Sequence, residues 1–310
     1  MPMDMIIPLL RTALELGLIS SLTVLALYLS YTMLNVCDLS TDGCFTLGAA
    51  VGAVVVLSGH PLLAIPAAMA AGMLSGFITA FLQTRMGINS LLAGIIVNTG
   101  LYSINIAVMG NTSLLNMNRA ETVFAKVHRL LEGTALARED KLIVALLAVV
   151  LVVAFLSVFR RTKLGLAIRA TGDNPDMVRS SSINPIFTTT IGLCIANAFT
   201  ALSGCLLAQA QKSVNIDIGS GMVTVALASL LMGTVFFSKK SITFRAVGAV
   251  VGSIVFRLVY TIALRFNMPA SMLKLVSSVI VIIAISAPYL RAQIPVLRRR
   301  MTAKTQKEAI

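Results

Sequence analysis

The sequence predicts an all-α polytopic membrane protein, a transmembrane helical bundle of eight or nine spans. Three observations lead there. The chain is 57% hydrophobic and only 12% charged, with a mean hydropathy of +0.91, far outside the range of an ordinary water-soluble domain. Apolar runs able to cross a hydrocarbon core of about 30 Å recur along its length. Basic residues gather after the third, fifth, seventh and ninth runs.

The runs are Pro8–Leu34, Gly43–Leu57, Leu62–Leu82, Ile88–Met109, Leu142–Phe159, Ile186–Ala208, Gly219–Phe237, Thr243–Leu264 and Ala270–Tyr289. They are apolar on all sides and rich in Ala, Leu, Val and Gly, which selects helices over the alternating strands of a β-barrel. The first run is too long for a signal-peptide core and lacks a small-residue cleavage site behind it, so it is expected in the mature protein. Residues 1–290 then form a single transmembrane domain, and residues 291–310 a basic tail.

Orientation follows from Lys and Arg, which collect on cytoplasmic loops. Placing the tail inside puts Arg85, Arg160, Arg161, Lys163, Arg169, Arg179, Lys239, Lys240 and Arg245 in the cytoplasm, together with Arg291, Arg298, Arg299, Arg300, Lys304 and Lys307. Only Asp173, Asp176 and Glu308 oppose them there, so nearly all of the net charge of +13 belongs to this face. Topology explains the basicity, and no nucleic-acid partner is needed. The loop over residues 110–141 mixes basic residues with Glu121, Glu132, Glu139 and Asp140. Alternate crossings put it outside, and nine spans put the N-terminus outside too.

Two polar, glycine-containing breaks interrupt the runs. Asp38–Gly43 (DLSTDG) follows the first span and Asp217–Gly221 (DIGSG) the sixth, each ahead of a short apolar helix. Gly72 with Gly76 lies two spans after the first, and Gly248 with Gly252 two spans after the sixth. The two units enter from opposite sides, the pattern of an inverted repeat used for alternating access; chance coincidence among 21 glycines is the alternative. These GxxxG pairs, and Gly48 with Gly52, also predict close helix contacts.

Chemistry is sparse. His60 and His128 stand apart from any serine or cysteine nucleophile, and no G-x-x-x-x-G-K-[ST] phosphate loop occurs, so neither catalysis nor ATP hydrolysis by that route is expected of this chain. Cys37, Cys44, Cys194 and Cys205 lack the paired spacing of a zinc site and are expected to pack. Polar groups inside a membrane are costly unless they face a cavity or a partner. That makes Asn35, Asp38, Ser40, Thr41, Asp42, Asn98 and Asp217 the candidates for a translocation pathway. Asn105, Asn197 and Gln209 rank behind them, and each could instead be an interhelical hydrogen bond. Arg11 and Glu15 are one turn apart and should pair. Arg265 and Lys274 can snorkel to the outer interface. Arg257 lies deeper and needs a polar partner.

The stretch from Arg160 to Phe187 is the most informative. Asn174 is a good N-cap, Pro175 has the φ suited to a first helical position, and Asp176 complements a helix N-terminus. A short helix from Pro175 to Ser181 is expected, ended before Asn184 and Pro185. It should show Met177 and Val178 between Arg169 and Arg179, and dock into a groove on a cytoplasmic partner.

This segment, GLAIRATGDNPDMVRSSSI, resembles the cytoplasmic coupling segment of ABC importer permeases of the branched-chain amino acid and ribose type. DLSTDGCFTLGAAVGA resembles the same family's break after its first core helix. The match in motif order and hydropathy covers nearly the whole chain, closest to the compact permeases linked to tryptophan uptake. The resemblance implies that Arg169, Thr171, Gly172, Asp173, Asn174, Pro175, Met177, Val178 and Arg179 form the surface that couples to an ATPase. It further implies a second permease copy, an ATPase pair holding ATP and Mg, an external solute-binding protein and a bacterial inner-membrane location, with no cofactor on this chain. The implied solute is an amino acid, aromatic in this branch, with a nucleoside or sugar as alternatives. Two departures stand out: Ser182 occupies a position where the family usually has Gly, and the extra N-terminal cytoplasmic helix of ribose-type members is missing. An ion-coupled secondary transporter using Asp38, Asp42 and Asp217 is the rival reading.

Overall fold

A computed structural model describes residues 6–132, 139–237 and 242–264, with scattered helical residues between 275 and 286. The first eight expected spans are all helical. Helix α1 (Ile6–Leu27) runs on through a π-helical segment (Tyr28–Met33), followed by α2 (Thr41–Leu57), α3 (Pro61–Thr84) and α4 (Ser90–Val108). The connection after α4 contains β1 (Leu114–Asn116) and α5 (Val123–Leu131) before α6 (Asp140–Phe159). Helices α7 (Lys163–Asp173) and α8 (Pro175–Ser180) lead into α9 (Pro185–Gln211), β2 (Ser213–Asn215), α10 (Met222–Phe237) and α11 (Ile242–Leu264). Six of these helices are long and apolar enough to cross a membrane, and Thr41–Leu57 and Met222–Gly233 are shorter apolar helices. Most of the expected ninth span, the basic tail, Lys239, Lys240, Arg265 and Lys274 lie outside the described residues.

Length explains why the two short helices follow the breaks. At 1.5 Å per residue, the 17 residues of α2 span only about 26 Å, short of a hydrocarbon core of about 30 Å. The polar break supplies the remaining depth.

Helices α1 and α9 form the centre, buried along most of their length, whereas α3, α4, α6 and α11 keep broad apolar faces exposed to lipid. The two central helices are antiparallel. Arg11 near the start of α1 pairs with Glu139 before α6, Lys141 donates to the carbonyl of Ala210 near the end of α9, and β1 pairs antiparallel with β2. The opposite end gathers the close of α1 with α7, α8 and the start of α9.

Packing repeats across this pair. Helices α2 and α3 lie on α9, while α10 and α11 lie on α1, and each pair also packs on itself. Each short helix and its follower thus lie on the long central helix of the other half. The glycine pairs differ, however. Gly72 and Gly76 of α3 press on the backbone of α9 at Asn197 and Leu193, whereas Gly252 of α11 presses on α10 at Ser229. Gly48 and Gly52 of α2 face Ala201 and Cys205 of α9.

Candidate functional site: two broken helices and a capped surface helix

The first break begins where α1 unwinds. In the π-helical segment the amide of Leu34 reaches back to Leu29 O at 3.1 Å, and Asn35 then takes φ +55°, a conformation Asn tolerates better than most side chains. Asp38 restarts the chain. Its Oδ1 accepts from Ser40 N at 2.8 Å and Ser40 Oγ at 2.6 Å, and its Oδ2 accepts from Asn197 Nδ2 of α9 at 2.9 Å. Thr79 of α3 donates to Ser40 Oγ, and Thr41 donates to Asp38 O. Asn197 sits halfway along the 27 residues of α9, so the break rises to the middle of the bundle.

The second break meets the first there. Asn215 Oδ1 turns the chain by accepting from Asp217 N, Gly221 takes φ +84°, and α10 starts at Met222. Its N-terminus is capped from the other break: Asp42 Oδ2 accepts from Gly221 N at 2.9 Å and Oδ1 from Val223 N at 2.8 Å. An acidic side chain at a helix N-terminus satisfies orphan amides and complements the helix dipole.

Beside this junction lies a polar cavity of about 430 Å³ between α2, α4 and the second break. It brings Asp42, Asn98 and Asp217 together, along with Thr46, Asn105 and Tyr102. The remaining expected pathway residues are elsewhere. Asp38, Ser40 and Thr41 are sealed by the bonds described above, each at most 2% exposed. Asn35 lines a second cavity of about 390 Å³ at the opposite end, with Thr84, Thr171, Gly172, Pro175 and Arg179.

All three lower-ranked polar residues make interhelical bonds. Asn197 holds Asp38, Asn105 Nδ2 donates to Gly43 O, and Gln209 Oε1 accepts from Val123 N to seat α5 on α9. Arg257 finds its partner in Ser20 Oγ, at 3.0 and 2.8 Å from Nε and Nη2.

Helix α8 forms as its cap residues require. Asn174 Oδ1 accepts from Asp176 N and Met177 N, both at 3.1 Å, and Pro175 opens α8. The helix ends in a Schellman motif: Ser182 N bonds to Arg179 O and Ile183 N to Val178 O. Ser182 adopts φ +61°, the left-handed position that explains why glycine is usual there. One expectation is corrected. Val178 is not displayed; at 1% exposure it is the inward anchor, while Met177 at 53% faces out with Asp176 and Arg179. A helix lying on a surface turns one side chain of its turn inward, and in α8 that residue is Val178.

Helix α7 is an element the sequence reading missed. Thr162 Oγ1 caps it by accepting from Gly165 N, and Ile168 and Thr171 pack inward, the latter against Thr188 Oγ1 of α9 at 2.8 Å. Thr162 ahead of Leu164 and Ile168 was the available signal. Arg169 and Asp173 stand exposed on α7, 4.0 Å apart, while Gly172 lies against the backbone of Met33 and Leu34.

Six long apolar helices, two shorter ones started by polar breaks and a capped surface helix define a multi-pass membrane protein built around discontinuous helices. The chain belongs to the family of permease components of branched-chain amino acid transport systems, which it matches over residues 9–285. It is 31% identical over 267 residues to a tyrosine transport system permease protein of Clostridioides difficile (strain R20291), covering 86% of each chain. It is 30% identical over 286 residues to the uncharacterized protein RP368 of Rickettsia prowazekii (strain Madrid E), covering 90% of this chain and 97% of that one. Its fold resembles a chain in the structure of PsaBC from Streptococcus pneumoniae in complex with Fab, with a TM-score of 0.50, 14% identity and 89% of each chain covered.

Proposed function

We propose that this chain is the membrane-spanning subunit of an ATP-driven importer that passes an amino acid, aromatic in character, into the cytoplasm. Family membership supports the transport role, and the similarity to a tyrosine transport permease supports the solute. The observation that carries the coupling to a separate motor is α8. It is anchored inward by Val178, capped at both ends, and turns Met177 and Arg179 outward on the end of the bundle where the positive-inside rule places the cytoplasm.

In this reading two copies of the chain frame the pathway, an ATPase pair receives the two α8 helices, and an external binding protein delivers the solute. Helix α4 supports the pairing. It exposes Thr99, Tyr102 and Ser103 beside the outer cavity, and such groups in a bilayer call for water or a protein partner. A ligand shifts an equilibrium only by its differential affinity for two states, so loaded binding protein and ATP must each favour one facing of the pathway. The motion enters at α8 and reaches α1 through Gly172, which touches the end of α1.

The test is reconstitution in proteoliposomes with a candidate ATPase and a candidate solute-binding protein. Tyrosine uptake should require ATP and all three components. Uptake driven by a sodium or proton gradient without the ATPase would overturn the assignment.

A further inference from the structure

We infer that the cavity between α2, α4 and the second break binds the α-ammonium group of the transported solute. The inference rests on the permease reading above and adds what the pathway recognises. The lining residues include two carboxyl groups, Asp42 and Asp217, and no Lys, Arg or His. Asp217 is exposed and forms no ion pair among the described residues.

Asn105 supplies the independent observation. It lines the cavity yet is 1% exposed, and its Oδ1 has no hydrogen-bond partner among the described residues. The amide cannot be turned to hide that oxygen. Its nitrogen donates to Gly43 O at 3.1 Å, and a carbonyl accepts but never donates, so the oxygen must be the unmatched end. A buried acceptor left unpaired costs free energy, and a donor recovers it. Asp42 has capacity to spare as well. It accepts the amides of Gly221 and Val223, with that of Met222 beside them, whereas a carboxylate offers about four acceptor sites.

The cavity therefore gathers acceptors and negative charge. A primary ammonium carries one positive charge and three N–H donors, which fits this set, while a carboxylate would meet two like charges and no cation in the lining. The exposed ring of Tyr102 lies in the same wall and offers an aromatic side chain a surface to rest on.

The test uses the full chain in lipid nanodiscs, with binding read by saturation-transfer NMR. The probes are tyrosine, tyramine (amine without carboxylate) and 4-hydroxyphenylpropionate (carboxylate without amine). Tyrosine and tyramine should bind and 4-hydroxyphenylpropionate should not. Asp217→Asn removes charge from an exposed side chain with no structural bond, and should weaken tyramine about tenfold, the size expected for losing one charged hydrogen bond. Equal binding of 4-hydroxyphenylpropionate, an unchanged tyramine affinity in Asp217→Asn, or displacement of tyramine by equimolar sodium would each overturn the ammonium assignment. None of these needs the ATPase. Failure here alongside ATP-dependent uptake sinks the ammonium site alone, whereas ATP-independent uptake sinks the permease reading.

Discussion

Asn197, midway along α9, donates its side-chain amide to Asp38 Oδ2 at 2.9 Å. That one bond ties the polar break after α1 to the central helix of the other half. Replacing Asn197 by Leu leaves a buried carboxyl oxygen unmatched, at a cost of about 2–3 kcal/mol. The variant should show a lower thermal midpoint in detergent than the parent chain, and Asn197→Asp should be worse, because it sets two carboxyl groups against each other. A midpoint unchanged in both would show that the bond does not hold the break.

Close helix contact on α9 should be intolerant of side chains. Gly72 lies against the carbonyl of Asn197, where an added Cβ would overlap backbone, whereas Gly100 has nothing within 4 Å of that position. Gly72→Val should destabilise by about 3 kcal/mol or more, since overpacking forces two backbones apart. Gly100→Ala should be neutral or slightly stabilising. Size-exclusion profiles and melting of the two variants, prepared side by side, check the contrast.

Asn174 should be required for coupling without being required for insertion. Asn174→Ala removes the N-terminal cap of α8, worth about 1 kcal/mol, from a helix of only six residues, leaving the Val178 anchor and the C-terminal bonds in place. The chain should still insert and melt near the parent temperature, while ATPase co-purification and ATP-driven uptake fall. Asn174→Asp keeps an acceptor at the helix N-terminus and should retain most of both. Arg179→Ala should reduce ATPase binding with the cap intact.

Ser182 carries a backbone conformation that favours glycine, at φ +61°. A left-handed residue with a Cβ costs about 1–2 kcal/mol, and glycine relieves that strain at the expense of a more flexible unfolded chain. Ser182→Gly should slow amide exchange through α8 by a few-fold. Ser182→Val should speed it, since a β-branched side chain tolerates this region least.

Much of the architecture could be read directly. Eight helices fall where the apolar runs lie, Arg11 pairs with Glu15 at 3.1 Å, and α8 starts at Pro175 behind Asn174. Each of these depends on neighbours within a turn or two. What escaped the sequence needed distant partners. Asp38, Ser40 and Thr41 have the polarity of pathway residues, but their bonds to Asn197 and Thr79 come from helices more than thirty residues away.

The same division holds at the site. Composition and periodicity alone determined a polytopic helical membrane protein with two breaks and a capped surface helix, because hydrocarbon forces every backbone amide to find its partner locally. Tertiary structure decided which polar residues became glue and which kept a cavity. Asp42 and Asp217 belong to different halves of the chain, and only the packing of α2 on α9, of α10 on α1 and of α4 on α2 brings them to one wall. Side-chain hydrogen bonds are made across helices, and no local pattern records which helix will be opposite.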